Sequence, residues 1–474
     1  MTATCSDPGP LAPVRPDGDD EDTLYRRVAF RLMPLIVTCY VVSNLDRINV
    51  SFAKLQMMSD LGFSDAVYGL GAGLFFIGYA AVEVPSNLLL HRFGARIWIT
   101  RILVTWGAIS AAMSVVTSLW SFYVLRFALG VAEAGLFPGI IYYLTQWYPR
   151  HRRARITSML YIAVPIAGFS GSLLSGLIIS KFDQFLSLAG WQWMFILEAL
   201  PAILLAPVVF ATLPDRIATA RWLSPGEKLC LARILADDRE AADSMPVLRV
   251  FATPHVWHLG AILFTIVLSM YGVFFFLPTI IRAAGLSTPL EVALASAIPY
   301  AASVVMMLVV SRSSDRTGER RWHIVGSTAV GAMGIVASVV WKDELPIVLL
   351  GMCLAVGGIM AVLPVFWGLA TGAFKGASEA AAIAFINSLA LTGGFVGPFV
   401  VGAVSEWTGS VDHGMLVLAI AWLLGAFLVL AYRVRMDEFR LVGPATAASD
   451  PDPDRTCVPA RPRRRAGRVA NHIK

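Results

Sequence analysis

Charge is scarce in this sequence: Asp, Glu, Lys and Arg make up 15% of 474 residues, against roughly 25% in an average soluble domain. With 57% of its residues hydrophobic, such a chain has too few polar groups to cover a water-facing surface. Lipid is therefore the expected solvent for much of it. Cysteine is sparse as well. Cys5, Cys39, Cys230, Cys353 and Cys457 show no paired spacing, so neither a disulfide nor a metal site is expected. There is no GxxxxGK(S/T) loop to cradle a nucleotide phosphate, no His or Cys cluster at metal spacing and no nucleophile elbow. ATP-driven export and an integral-membrane enzyme both lose their support, and no catalytic residue, cofactor or nucleic-acid partner is expected. A secretory signal is lacking too. The segment before the first apolar run carries Asp17, Asp19, Asp20, Glu21 and Asp22 where such a signal needs basic residues. That first run is expected to stay as an uncleaved anchor.

Long apolar runs are what the sequence has in abundance. A helix needs about 20 such residues to cross a bilayer. Runs of that kind fall at 31–53, 67–90, 96–116, 120–145, 156–180, 192–213, 256–281, 290–311, 323–341, 346–370, 378–403 and 412–433. The expected fold is an all-α integral membrane protein of twelve transmembrane helices in two six-helix halves, 31–213 and 256–433. Tails at 1–30 and 434–474 flank them, and a polar linker at 214–255 lies between.

Lys and Arg gather in cytoplasmic loops. Arg26, Arg27, Arg92, Arg96, Arg150, Arg152, Arg153 and Arg155 fall on one side of the alternation with the linker cations, Arg312, Arg316, Arg320, Arg321, Lys375 and the Arg-rich tail. The other side has only Lys54, Lys181, Arg282 and Lys342. Both termini are expected in the cytoplasm, with the protein in the inner membrane. In the linker, Ser224-Pro225 followed by Glu227 signals a helix start. The Arg461–Arg465 run of the tail suits anionic lipid.

Ionisable residues inside the spans are costly, about 2.5–3.5 kcal/mol each at a helix centre, and they concentrate in the first half. Span one holds Asp46 and Arg47, span two Glu83, and span four Arg126 and Glu133. Arg126 and Glu133 share a helix face with Gly130, Ala134 and Pro138. Asp46 and Arg47 point about 100° apart. A water-accessible central cavity would let two carboxylates and two guanidiniums compensate one another. Arg keeps its proton, so Arg47 and Arg126 suit a permanent clamp for an anion. Carboxylates can be neutralised, so Asp46 and Glu133 suit proton coupling. The alternative is a static buried network that orders spans one and four. Glu83 reads as a snorkelling or gate-capping residue.

The loop after span eight reads SRSSDRTGERR, with Asp315, Arg316, Gly318 and Arg320, and that after span two reads NLLLHRFGAR, with Arg92, Gly94 and Arg96. Both resemble the gating-loop motif GxxxDRxGRR of the major facilitator superfamily. The first copy has Asn87 for Gly and His91 for Asp. A gate built on charges is therefore expected on the second copy.

Three stretches, SNLDRINVSFA, GYAAVEVPSNLLLHRFGAR and LRFALGVAEAGLFPGIIYYLTQWYPRHRRAR, narrow the resemblance. They look like the anion:cation symporter branch, which carries phthalate, tartrate, hydroxyphenylacetate and sugar acids. The likeness continues through GWQWMFILEALPAILL, MYGVFFFLPTII and FINSLALTGGFVGPFVVG. It implies proton-driven uptake of a small organic anion, such as an aromatic or hydroxy carboxylate, by a monomer in contact with membrane lipids. It also implies substrate contacts at Tyr79, Trp367 and Asn387, with Tyr142, Tyr271 and Phe274 as further candidates. Asn44 stands where relatives often have an aromatic residue. Glycines 168, 171 and 176 in span five, and 393, 394, 397 and 402 in span eleven, suit the close contacts of a rocking bundle. A drug/proton antiporter and a non-transporting sensor are the competing readings. The fixed guanidiniums speak against the first, and the short polar tail speaks against the second.

Overall fold

A computed structural model describes residues 18–240, 253–371 and 377–432, and all regular structure among them is helical. Lys375, Arg249, part of the acidic linker stretch and the Arg461–Arg465 run lie outside the described residues. Among those described, twelve stretches are long and apolar enough to cross a membrane. They are Glu21–Leu61, Asp65–Phe93, Ala95–Val115, Leu119–Thr145, Met159–Lys181 and Gly190–Thr212 in the first half. Pro254–Ala283, Pro289–Thr317, Arg321–Val340, Leu345–Ala370, Ala382–Thr408 and Val411–Ala431 follow in the second. They are numbered below as spans one to twelve. Their lipid-directed faces are apolar, with Val104, Leu204, Val305, Leu350, Ile420 and Phe427 all exposed.

The first span begins ten residues before the apolar run does. Its opening turns are held by protein rather than lipid. Leu24, Tyr25 and Val28 are buried, and Glu21 and Asp22 pair with Arg152 at 3.3 and 2.5 Å. The acidic start thus meets the cationic loop before span five.

Span four is broken. Its two helices, Leu119–Glu133 and Leu136–Thr145, meet at Ala134–Gly135, where Gly135 has φ 88°. A carbonyl freed inside a membrane must find a donor. That of Ala134 accepts the hydroxyl of Ser86 in span two at 2.6 Å. A Cβ on Gly135 would lie 2.3 Å from the same hydroxyl. The break therefore needs glycine twice over, for its dihedral and for its space.

Span seven is the most enclosed, and it packs along span eleven. The halves meet chiefly where span two packs on eleven and span five on eight. The polar bonds joining them gather at the end of the bundle away from the linker. There Ser405 donates to Asp65 at 2.6 Å, and Ser64 and the Ala66 amide donate to Glu406. Tyr68 donates to the Phe275 carbonyl at 2.9 Å, and Arg282 to the Leu55 carbonyl at 2.7 Å. Asp65 also pairs with Lys54 at 2.8 Å, whose ammonium stands over the Tyr68 and Phe276 rings. Some glycines of spans five and eleven serve the same closure, while Gly393 and Gly397 pack on span seven within their own half. A Cβ on Gly176 would meet Ala293, and one on Gly402 the Asp65 carbonyl.

Candidate functional site

Between the halves lies a cavity open at one side, with about 880 Å³ of empty space including the open solvent at its mouth. Span one contributes Tyr40, Asn44 and Arg47, span two Tyr79 and span five Tyr161. Tyr271 and Phe274 come from span seven, Trp367 from span ten and Asn387 from span eleven. Eight of the nineteen lining residues are aromatic, and the single full charge among them is that of Arg47.

Arg47 joins the halves. One terminal nitrogen pairs with Glu133, just before the break in span four, and the other donates to the Tyr271 hydroxyl at 2.9 Å. The guanidinium also stands 5.1 Å from the Phe75 ring centroid and 5.7 Å from that of Tyr79. Glu133 accepts the Ser43 hydroxyl at 2.7 Å on the same oxygen. Its Oε2 and the Nε of Arg47 have no hydrogen-bond partner. The pair is poised: mutually neutralised, yet with one donor and one acceptor still free.

Arg126 and Asp46 stand away from the cavity wall. Arg126 is fully buried toward the closed end and donates to the Gly71 and Ala72 carbonyls at 3.3 Å each. It lies 5.4 Å from the Phe75 ring and 6.0 Å from that of Phe275, and among the described residues it forms no ion pair. The common face with Glu133 does not bring both to Arg47. Seven residues of helix separate them by about 10 Å along the axis, so only Glu133 reaches Arg47. Asp46 points toward span three. It accepts Trp106 Nε1, Ser110 Oγ and Asn49 Nδ2. Glu83 is buried in span two outside the lining, and Tyr142 packs tilted against the His91 ring instead.

The gating loops sit at the linker end. Asp315 pairs with Arg320 at 3.3 Å, and Gly318 closes span eight with φ 68°. The Arg320 guanidinium rests against Gly368 of span ten, while Arg316 is exposed. In the first copy Arg92 stacks near Phe93 and Gly94 has φ 87°. Its missing acid is supplied from elsewhere. Asp215, at the start of the linker, accepts the Arg96 amide at 2.8 Å and lies 3.5 Å from its side chain. Both copies therefore carry an acid–base pair. Asp215 was hidden by its distance along the chain, although Pro214-Asp215-Arg216 could have marked it. Glu198 of span six, in FILEALPAILL, was also missed. It is fully buried and accepts the Ser175 hydroxyl at 2.7 Å, and a lone carboxylate in an apolar run was its signal.

Residues 36–398 match the model of the Major Facilitator Superfamily. The chain belongs to that superfamily, and it is a multi-pass membrane transport protein. It is 45% identical over 415 residues to the "Putative metabolite transport protein NicT" of Pseudomonas putida, covering 87% of this chain and 95% of that protein. It is 42% identical over 419 residues to the "Quinolone resistance transporter" of Acinetobacter baumannii, covering 88% and 96%. A "Putative tartrate transporter" of Agrobacterium vitis is 41% identical over 414 residues, covering 87% and 92%. Among solved structures, the D-xylose-proton symporter superposes with a TM-score of 0.67 at 17% identity, over 84% of this chain and 97% of that one. That likeness concerns the fold.

Proposed function

We propose that the chain takes up a small organic anion, an aromatic or hydroxy carboxylate, together with protons, across a bacterial inner membrane. The observation that carries this reading is Arg47 on the cavity wall, paired with the buried Glu133 behind it, with Arg47 Nε and Glu133 Oε2 unengaged. A substrate carboxylate entering between the halves can take the guanidinium in a forked contact. Glu133 then loses its counter-charge in a buried place and becomes the group that accepts a proton. Anion and proton thus favour each other's binding, which is the requirement of symport. The relatives named for tartrate and metabolite transport support the cargo class.

Tyr79, Trp367 and Asn387 would orient the rest of the anion. Arg126 lies one step nearer the closed end under Phe75 and Phe275. It would join the cavity when that end parts. The excess of cations at the linker end supports placing that end, with both tails, in the cytoplasm. The proton motive force is the energy source in this reading, with no cofactor, and the monomer is the working unit. The relative named for quinolone resistance favours a second reading, proton-driven export of a drug.

Reconstituted vesicles decide between them. Uptake of an aromatic or hydroxy carboxylate should follow an inward proton gradient and collapse with a protonophore. Exchange of a drug against protons, with no carboxylate uptake, would favour export instead.

A further inference from the structure

The corner where span two passes into span three carries a cation that the transport reading leaves unused. Arg101 lies six residues after Ala95, the start of span three, or about 9 Å along its axis. It shares the outward stripe of Ile97 and Val104, which are 45% and 46% exposed, so lipid is the neighbour on that side. A guanidinium in such a place is costly unless an anion or water reaches it. The protein offers no anion: among the described residues Arg101 forms no ion pair, and its buried Nε has no hydrogen-bond partner. The guanidinium instead leans back over Trp98 toward the linker end, 4.1 Å from the ring centroid. Trp98 stacks on Phe93, with centroids 5.8 Å and planes 10° apart, and is held in place by its Nε1, which donates to Ser86 Oγ at 3.0 Å. Arg92 stands 5.7 Å from the Phe93 ring. It is exposed and has no acid partner among the described residues. The acid that this loop does have, Asp215, is taken by Arg96.

We propose that this corner binds the headgroup of an anionic phospholipid. Arg101 takes the phosphate, Arg92 adds attraction for a net negative headgroup, and the stacked Phe93 and Trp98 rings cover the glycerol and upper acyl region. The depth fits. A long cationic side chain that starts inside a span reaches headgroup level by snorkelling, and Trp settles at that level. Two phosphate oxygens match the fork of a guanidinium. A zwitterionic headgroup brings an ammonium of its own, which the two guanidiniums repel. A soluble anion fits less well, because the stripe around Arg101 is apolar and faces acyl chains rather than water. The site is independent of what the carrier moves.

Native mass spectrometry of the full chain, released from micelles doped with equal amounts of phosphatidylglycerol and phosphatidylcholine, tests the site. The parent should retain phosphatidylglycerol over phosphatidylcholine by about fivefold. Equal retention of the two overturns the proposal, and that comparison needs no variant. Arg101→Gln should lower the retained phosphatidylglycerol about fivefold, and Arg92→Gln by less. Arg312→Gln removes an exposed cation at the linker end of span eight and should leave retention at the parent level. No loss in Arg101→Gln, or an equal loss in Arg312→Gln, overturns the proposal, the latter by reducing the effect to general surface charge. Inorganic phosphate should not displace the lipid from the parent. Displacement would assign the corner to a soluble anion and overturn the lipid as its occupant.

Discussion

Arg47 is held by two acceptors of different kinds, a carboxylate in its own half and a tyrosine hydroxyl in the other. Hydrogen bonds to charged groups are worth about 1.5–3 kcal/mol, so losing the fork should weaken anion binding about 10- to 100-fold. Arg47→Lys keeps the charge and loses the geometry. It should raise the Kd of the carboxylate, read by quenching of cavity tryptophan fluorescence, while the protein still purifies as a monodisperse species. Unchanged affinity would remove Arg47 from the site. Glu133→Gln leaves the guanidinium without its counter-charge. It should tighten anion binding severalfold and abolish accumulation under a proton gradient. Residue type pointed to Arg47, because charged groups in apolar spans need a cavity or a partner, while Tyr79, Trp367 and Asn387 were marked by the family resemblance. It gave no orientation for Asp46, which has the same cost but faces span three. Helical phase shows which side chains share a stripe. The depth at which a neighbour crosses that stripe separates Arg126 from Glu133.

At the scale of single elements, run length alone marked twelve spans, because bilayer thickness fixes the length of an apolar helix. The break in span four was not legible. Gly135 follows the apparent small-residue face of Gly130, Ala134 and Pro138, and its φ of 88° with the Ser86 hydroxyl against Ala134 reveals the turn. Gly135→Ala forces a left-handed alanine, about 1–2 kcal/mol, onto that hydroxyl. The variant should unfold at lower temperature in detergent than the parent. Adding Ser86→Ala should recover only part of the loss, since it removes the clash and strands a carbonyl. Full additivity of the two substitutions would argue that they do not share the contact. The linker helix Pro225–Glu240 was legible from its start signal: the Ser224 amide donates to Glu227 at 2.8 Å, and Glu227 donates back through its own amide at 3.3 Å. The Ser224 amide, then its hydroxyl and the nearby Arg27, hold the Glu227 carboxyl below its ordinary range. A depressed pKa stabilises above the unfolded value, near 4.3, and the contribution fades as pH falls through that range. Ser224→Ala should cost the helix about 1 kcal/mol and speed limited proteolysis of the linker.

The molecule as a whole is latched at one end. Lys54, Asp65 and Ser405 form one cluster and Ser64, Ala66 and Glu406 another, and both tie span two to span eleven. The cavity below them has the Arg47–Tyr271 bond as its floor on the latched side. Such an arrangement admits substrate from the linker end and must part at the latch to admit it from the other. Lys54 is buried and Asp65 about a quarter exposed, so removing the acid strands a buried ammonium and should shift the balance of the two states at least fivefold. Asp65→Asn deprives Lys54 of its counter-charge and weakens the acceptor for Ser405. In a background without native cysteines, a cysteine at Met270, on the cavity lining, reports which end is open. An impermeant thiol reagent should label it from the linker side in the parent. Asp65→Asn should raise labelling from the opposite side severalfold at the expense of the first. The same vesicles fix the orientation through a cysteine at the exposed Gly226 of the linker. It should be protected in right-side-out vesicles and labelled in inverted ones. Labelling in the right-side-out preparation would place the linker, both tails and the mouth of the cavity outside. The carrier would then load its anion in the conformation described here from the opposite compartment, and the latch would become its inner gate.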